Sequence, residues 1–94
     1  MSVHHDVRAA LAEITYRISG HAADRMVAER LEEIWVIEAT IGGTAVEEFP
    51  ATFPHPSCLV IGKAAIGGPV HALWGYDAAS GHALLLTVYR AGRA

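Results

Sequence analysis

The last third of the chain carries the strongest constraint on its fold. Three apolar segments, "SCLVIGKA" (57–64), "PVHALWGY" (69–76) and "HALLLTVYR" (82–90), are separated only by "AIGG" and "DAASG". Runs of this length joined by short glycine-containing turns predict three consecutive strands in an antiparallel meander. Ala83–Val88 is apolar almost without interruption, which predicts a central strand buried on both faces.

The first half has a helical period. In "HDVRAALAEI", Val7, Ala10, Leu11 and Ile14 fall at helical spacing, and "ITYRIS" then alternates as a strand from about Thr15 to Ser19. From His21 to about Ile41 the apolar stripe Ala22, Met26, Leu31, Ile34 and Ile37 predicts helix, with Gly42-Gly43 as its stop. A break near Arg30, with a second helix starting at Glu32 and Glu33, fits equally well. "TAVEEF" (44–49) is a short strand, "PATFPHP" (50–56) with its three prolines is a loop, and the tail "AGRA" (91–94) is expected to fray. The sum is one α+β domain over residues 1–94, with one or two helices packed on a four- to five-stranded, mainly antiparallel sheet.

Composition narrows the function classes. A domain of 94 residues buries only about 60–65% of its unfolded surface, so a homodimer or another partner is expected. A net charge of −3 argues against coating nucleic acid by bulk electrostatics, but not against a local basic site. No apolar run approaches the ~20 residues of a membrane span. No secretory leader opens the chain and Cys58 stands alone, so the expected setting is the cytoplasm.

Two histidines stand out for chemistry. His21 opens the central helix with Arg25 four residues on, so both project from one face beside an N-terminus that favours anions. Either they handle phosphate, or His21 simply occupies the first turn while Arg25 pairs with Glu29. His71 shares a strand face with Leu73, opposite Val70, Ala72 and Trp74. It is a satisfied packing residue or a general acid–base. Tyr89, placed with Thr87, Leu85 and Ala83 on one face, packs or orients a phosphate. His4 and His5 are expected on the surface. Cys58 with His21, His55 and His71 matches no metal-ligand spacing, and no glycine-rich phosphate loop, GxSxG or HExxH is present.

Four segments in order, "HAADRM" (21–26), "PSCLVIG" (56–62), "GGPVHALWGYD" (67–77) and "LLLTVYR" (84–90), resemble the prokaryotic domain of unknown function 4258. The likeness covers about residues 21–90. That family is in turn similar to small endoribonuclease toxins of the RelE and BrnT type. The resemblance implies a RelE/BrnT-like sheet with a packed helix, an RNA substrate, an antitoxin protein as partner, and His21, Arg25, His71 and Tyr89 as catalytic residues near Ser57 and Cys58. The family pattern has a second arginine four residues after the first, followed by glycine; this chain has Glu29 and Arg30 there. The function so implied is a metal-independent endoribonuclease-like toxin module. His71 and His21 would serve as acid and base, Arg25 (aided by Arg90) would stabilise charge, and Tyr89 would hold the phosphate; no cofactor is needed. The alternatives are a non-catalytic interaction module presenting Trp35, Trp74 and Phe53, or a small-ligand or metal binder built on His21, His71 and Cys58.

Overall fold

The meander predicted from the three apolar segments forms the body of the sheet. The computed structural model describes residues 2–66 and 68–90. In chain order the elements are α1 (Val3–Ala12), β1 (Tyr16–Ile18), α2 (Gly20–Glu29), α3 (Glu33–Gly42), β2 (Thr44–Phe49), β3 (Ser57–Ala64), β4 (Gly68–Asp77) and β5 (His82–Arg90). The five strands lie in the order β1-β5-β4-β3-β2. β1 is parallel to β5, and every other pairing is antiparallel. The α+β class holds, with three helices on the sheet. The tail expected to fray, residues 91–94, lies outside the described residues.

The segment 21–41 is two helices. Arg30 sits in the left-handed region with φ 55°, and the Leu31 N–H reaches back to the Met26 carbonyl at 2.8 Å. That bond closes α2 as a left-handed C-terminal cap, with Leu31 buried beside it. The break resets the phase of the apolar stripe. Val36, Ala39 and Thr40 of α3 are therefore buried, whereas Ile34 is 62% exposed. α1 ends the same way. The Thr15 N–H bonds the Ala10 carbonyl at 2.9 Å, and Ile14 takes the left-handed position with φ 59°. Ile14 is consequently outside the helix and its stripe, exposed rather than buried.

α1 and α3 cover one face of the sheet, over a core that includes Val7, Val36, Val60, Val70, Trp74, Leu85 and Val88. α3 approaches β3 very closely, because Gly62 leaves room for the Ala39 carbonyl where a Cβ would stand 1.7 Å away. Trp74 is buried and its Nε1–H donates to Thr40 Oγ1 at 2.8 Å. The Thr40 hydroxyl donates to the Val36 carbonyl, and the Thr40 carbonyl accepts from His4 Nε2 at 2.9 Å. His4 is thus buried rather than on the surface. Its ring satisfies a carbonyl near the end of α3 that water cannot reach. Trp35 is half-buried against the same core.

The strand expected to be buried on both faces is covered on one only. β5 lies between β1 and β4, but its Leu86 is 36% exposed on the face away from the core. A bulge explains the change. Trp74 pairs with Leu85 and Leu73 with Thr87, which leaves Leu86 as the extra residue. One added residue flips the alternation. Ala83 and Leu85 point to the core before the bulge and Val88 after it, so Thr87 and Tyr89 lie on the opposite face from Leu85 and Ala83. No helix among the described residues is long and apolar enough to cross a membrane.

Candidate functional site

β1 is only three residues long, so it pairs with β5 from Ala83 to Leu85 and no further. α2 takes over along the remaining edge of β5. Ser19 makes the joint: its N–H bonds the Leu85 carbonyl, its hydroxyl donates to the Leu86 carbonyl at 3.2 Å, and its Oγ accepts the Ala22 N–H at 3.0 Å. The first turn of α2 is thereby seated against the bulge, where the N–H groups of a helix start are unpaired within the helix.

From there His21, Arg25 and Glu29 follow at four-residue spacing along the side of α2 that meets β5. His21 Nε2 lies 3.1 Å from Thr87 Oγ1. Arg25 Nη2 donates to Glu29 Oε2 at 3.2 Å, and Glu29 Oε1 accepts the Arg90 N–H at 2.8 Å. Arg90 then turns back on the helix end, with Nε donating to the Glu29 carbonyl at 2.8 Å and Nη2 to the Arg30 carbonyl at 2.9 Å. A guanidinium placed so complements the negative end of the helix dipole. Arg90 is therefore a clamp between β5 and α2, and not the free cation expected beside Arg25.

His71 faces the same open side from β4, paired in register with Tyr89. Its Nδ1 lies 3.0 Å from the Tyr89 hydroxyl, and the rings meet edge-on with centroids 4.9 Å apart. Thr87 and Tyr89 are two residues apart on one strand face, about 6–7 Å. Two histidine–hydroxyl pairs thus succeed one another along β5. His21 and Tyr89 are exposed, and Arg25 and His71 half-buried. Among the described residues no hydrogen bond joins His21 or Arg25 to His71.

Two further residues contribute to this face. Strict alternation predicts Thr87 on the face of Leu85, and it lies on the other, because a bulge leaves no mark in an apolar run. The other is Arg17, which the sequence offers only as one of six arginines and on the side of "ITYRIS" opposite Tyr16. It pairs in register with Leu84 on the open face, opposite the inward Tyr16 and Ile18. The alternation of "ITYRIS" was the available signal. Its guanidinium is exposed and has no side-chain partner among the described residues.

Cys58 lies elsewhere. It is fully buried on the helix-covered face, and burial with the nearby Glu48 carboxylate pushes its thiol up to about 12. A shared metal or ligand site of His21, His71 and Cys58 is excluded by this, since the sheet separates the thiol from both imidazoles. Ser57 is buried too, with its hydroxyl bonded to Thr52 Oγ1 at 3.2 Å. Among the described residues no three His, Cys, Asp or Glu side chains are grouped to hold a metal ion.

The model of a domain of unknown function (DUF4258) matches residues 18–90, and the chain belongs to that family. No curated protein and no solved structure matches the chain well enough to show a relative. The family match begins at the end of β1 and ends with β5, so it takes in α2, the bulge and both histidine–hydroxyl pairs.

Proposed function

We propose that this member of the DUF4258 family is a metal-independent endoribonuclease-like toxin module, countered by an antitoxin protein and acting on RNA at the open face of its sheet. The observation that carries the reading is the succession of His21–Thr87 and His71–Tyr89 on one solvent-facing strand, at 3.1 and 3.0 Å. Two imidazoles on one open face, each held by a hydroxyl two residues from the other along β5, suit proton transfer at an RNA linkage, because one must act as base while the other acts as acid. The base takes the proton of the ribose 2′-hydroxyl, and the 2′-oxygen attacks phosphorus. The P–O5′ bond breaks, and the acid protonates the departing 5′-oxygen, leaving a 2′,3′-cyclic phosphate and a 5′-hydroxyl. Arg25, the first turn of α2 and Arg17 on the same face supply positive potential for the phosphorane oxygens.

The test is an RNA oligonucleotide against the same sequence with 2′-deoxy sugars, using chain freed of any co-purified protein. Cleavage of the RNA alone, ending in a cyclic phosphate, together with growth arrest on induction, is the expected result. No cleavage of either strand overturns the reading.

A second reading, a non-catalytic interaction module, has its own observation. Leu59, Ile61, Leu73, Leu84 and Leu86 leave the same face partly uncovered, while Arg25 and Arg90 are already engaged.

A further inference from the structure

Away from the histidines, α2 and the start of α3 enclose a groove of about 720 Å³. Its floor is apolar, made by Ile18, Met26, Leu31 and Trp35. Val27 stands on its edge, 80% exposed, and Ile34 lies one position before Trp35, 62% exposed. An isolated chain gains nothing by holding a β-branched side chain in water beside a hollow lined with tryptophan and leucine. Arg30 and Glu32, both exposed, also line the groove, with Glu33 next to them. Glu33 is bound by the Tyr16 hydroxyl. The side chains of Arg30 and Glu32 have no hydrogen bond or ion pair among the described residues.

We infer that this groove is the interface of a twofold homodimer, in which the α2–α3 junctions of two copies face each other. A twofold contact uses the same patch on both sides, so the patch must complement itself. This one does so in shape, with the Val27 knob beside its own kind of hollow. It does so in charge as well, because an unpaired cation and an unpaired anion stand two residues apart on one rim. With the axis at the junction, Arg30 of each copy meets Glu32 of the other, and Val27 enters the partner's groove. A partner of one charge sign would leave one of the two groups unpaired. The groove and the histidine face involve different residues, so the inference stands or falls independently of the ribonuclease reading.

The experiment is analytical ultracentrifugation of the full chain from 1 to 200 µM. A monomer–dimer equilibrium is expected. Val27→Glu weakens it more than tenfold, with thermal melts at low concentration confirming a folded chain. Arg30→Glu and Glu32→Arg each place like charges across the axis and are each expected to be monomeric. Mixed in equal amounts they regain opposite charges at both contacts, and a heterodimer returns. A chain that stays monomeric throughout overturns the inference. So does a dimer indifferent to Val27→Glu, which places the contact on another surface, or a mixture of the two charge variants that fails to associate. If the chain is monomeric alone but binds a separate amphipathic helix through Val27, the groove serves a different protein and the homodimer is wrong.

Discussion

Glu29 divides its carboxylate between Arg25 and Arg90: Oε2 lies 3.2 Å from Arg25 Nη2, and Oε1 accepts the Arg90 N–H at 2.8 Å. One acidic residue therefore fastens α2 to the end of β5 and also partly neutralises the cation one helical turn from His21. The family resemblance implies arginine at this position, where no carboxylate would engage Arg25. Glu29→Gln keeps an acceptor and removes the charge. We expect RNA binding and cleavage to rise roughly two- to fivefold, equivalent to about 0.4–1 kcal/mol for release of a half-exposed pair. Glu29→Ala is expected to cost about 1–3 kcal/mol of stability, because the Arg90 N–H loses its acceptor. Unchanged binding in Glu29→Gln removes Arg25 from the site.

Ile14 is a β-branched residue at φ 59° whose side chain is 77% exposed. Left-handed backbone is unfavourable for such a residue by about 1–2 kcal/mol, and glycine takes it without that penalty. Ile14→Gly is expected to raise the urea midpoint by the equivalent of about 1 kcal/mol, with an unchanged denaturant slope. A lower midpoint shows that the side chain makes a contact the strain does not outweigh.

Gly62 has the opposite character. A Cβ there would meet the Ala39 carbonyl oxygen at 1.7 Å and its carbon at 2.5 Å, both backbone atoms of α3. The helix must move off the sheet or the strand must bend. Gly62→Ala is expected to destabilise the fold by about 3 kcal/mol, seen as a depressed melting temperature. Neutral behaviour contradicts the close packing of α3 on β3.

The Cys58 thiol ionises at about 12 in the folded chain, against an ordinary 9.0, because burial and the Glu48 carboxylate disfavour the thiolate. Above pH 9 the unfolded chain releases this proton while the folded chain retains it. The stabilisation is therefore complete below pH 9 and is lost progressively between pH 9 and 12. A thiol reagent at pH 8 is expected to react with the unfolded chain far faster than with the native one. Equal rates place Cys58 at the surface.

Which parts of this were legible in the sequence follows from how local each signal is. Strands of the meander have period-2 or apolar runs bounded by glycine, and β3, β4 and β5 fall where those runs fall. His71 on the face of Leu73, away from Val70, Ala72 and Trp74, follows from alternation alone. The pairing of Arg25 with Glu29 follows from four-residue spacing. The Leu86 bulge was not legible, since the four apolar residues Ala83–Leu86 look alike whichever way each points; it moved Thr87 and Tyr89 to the histidine face. The break near Arg30 is one of two readings the sequence leaves open, and Ile14 reads as part of the α1 stripe, because left-handed caps are recognised by glycine and neither residue is one. The burial of His4 is not legible locally, because its partner, the Thr40 carbonyl, lies 36 residues away. Arg90 likewise shows its role as a clamp only once α2 lies along β5.

The central claim is that His21 and His71 act together at one phosphodiester. Its most direct test is the cleavage rate of a defined RNA by the wild type, His21→Ala, His71→Ala and the double variant. Both side chains lie on the open face, so melting curves serve as the folding control. Loss of one proton-transfer group is expected to lower the rate about 100-fold or more. Because the two act in a single step, the double variant should be little slower than the slower single one. The account is contradicted if the wild type does not cleave RNA, or if either single variant cleaves at the wild-type rate.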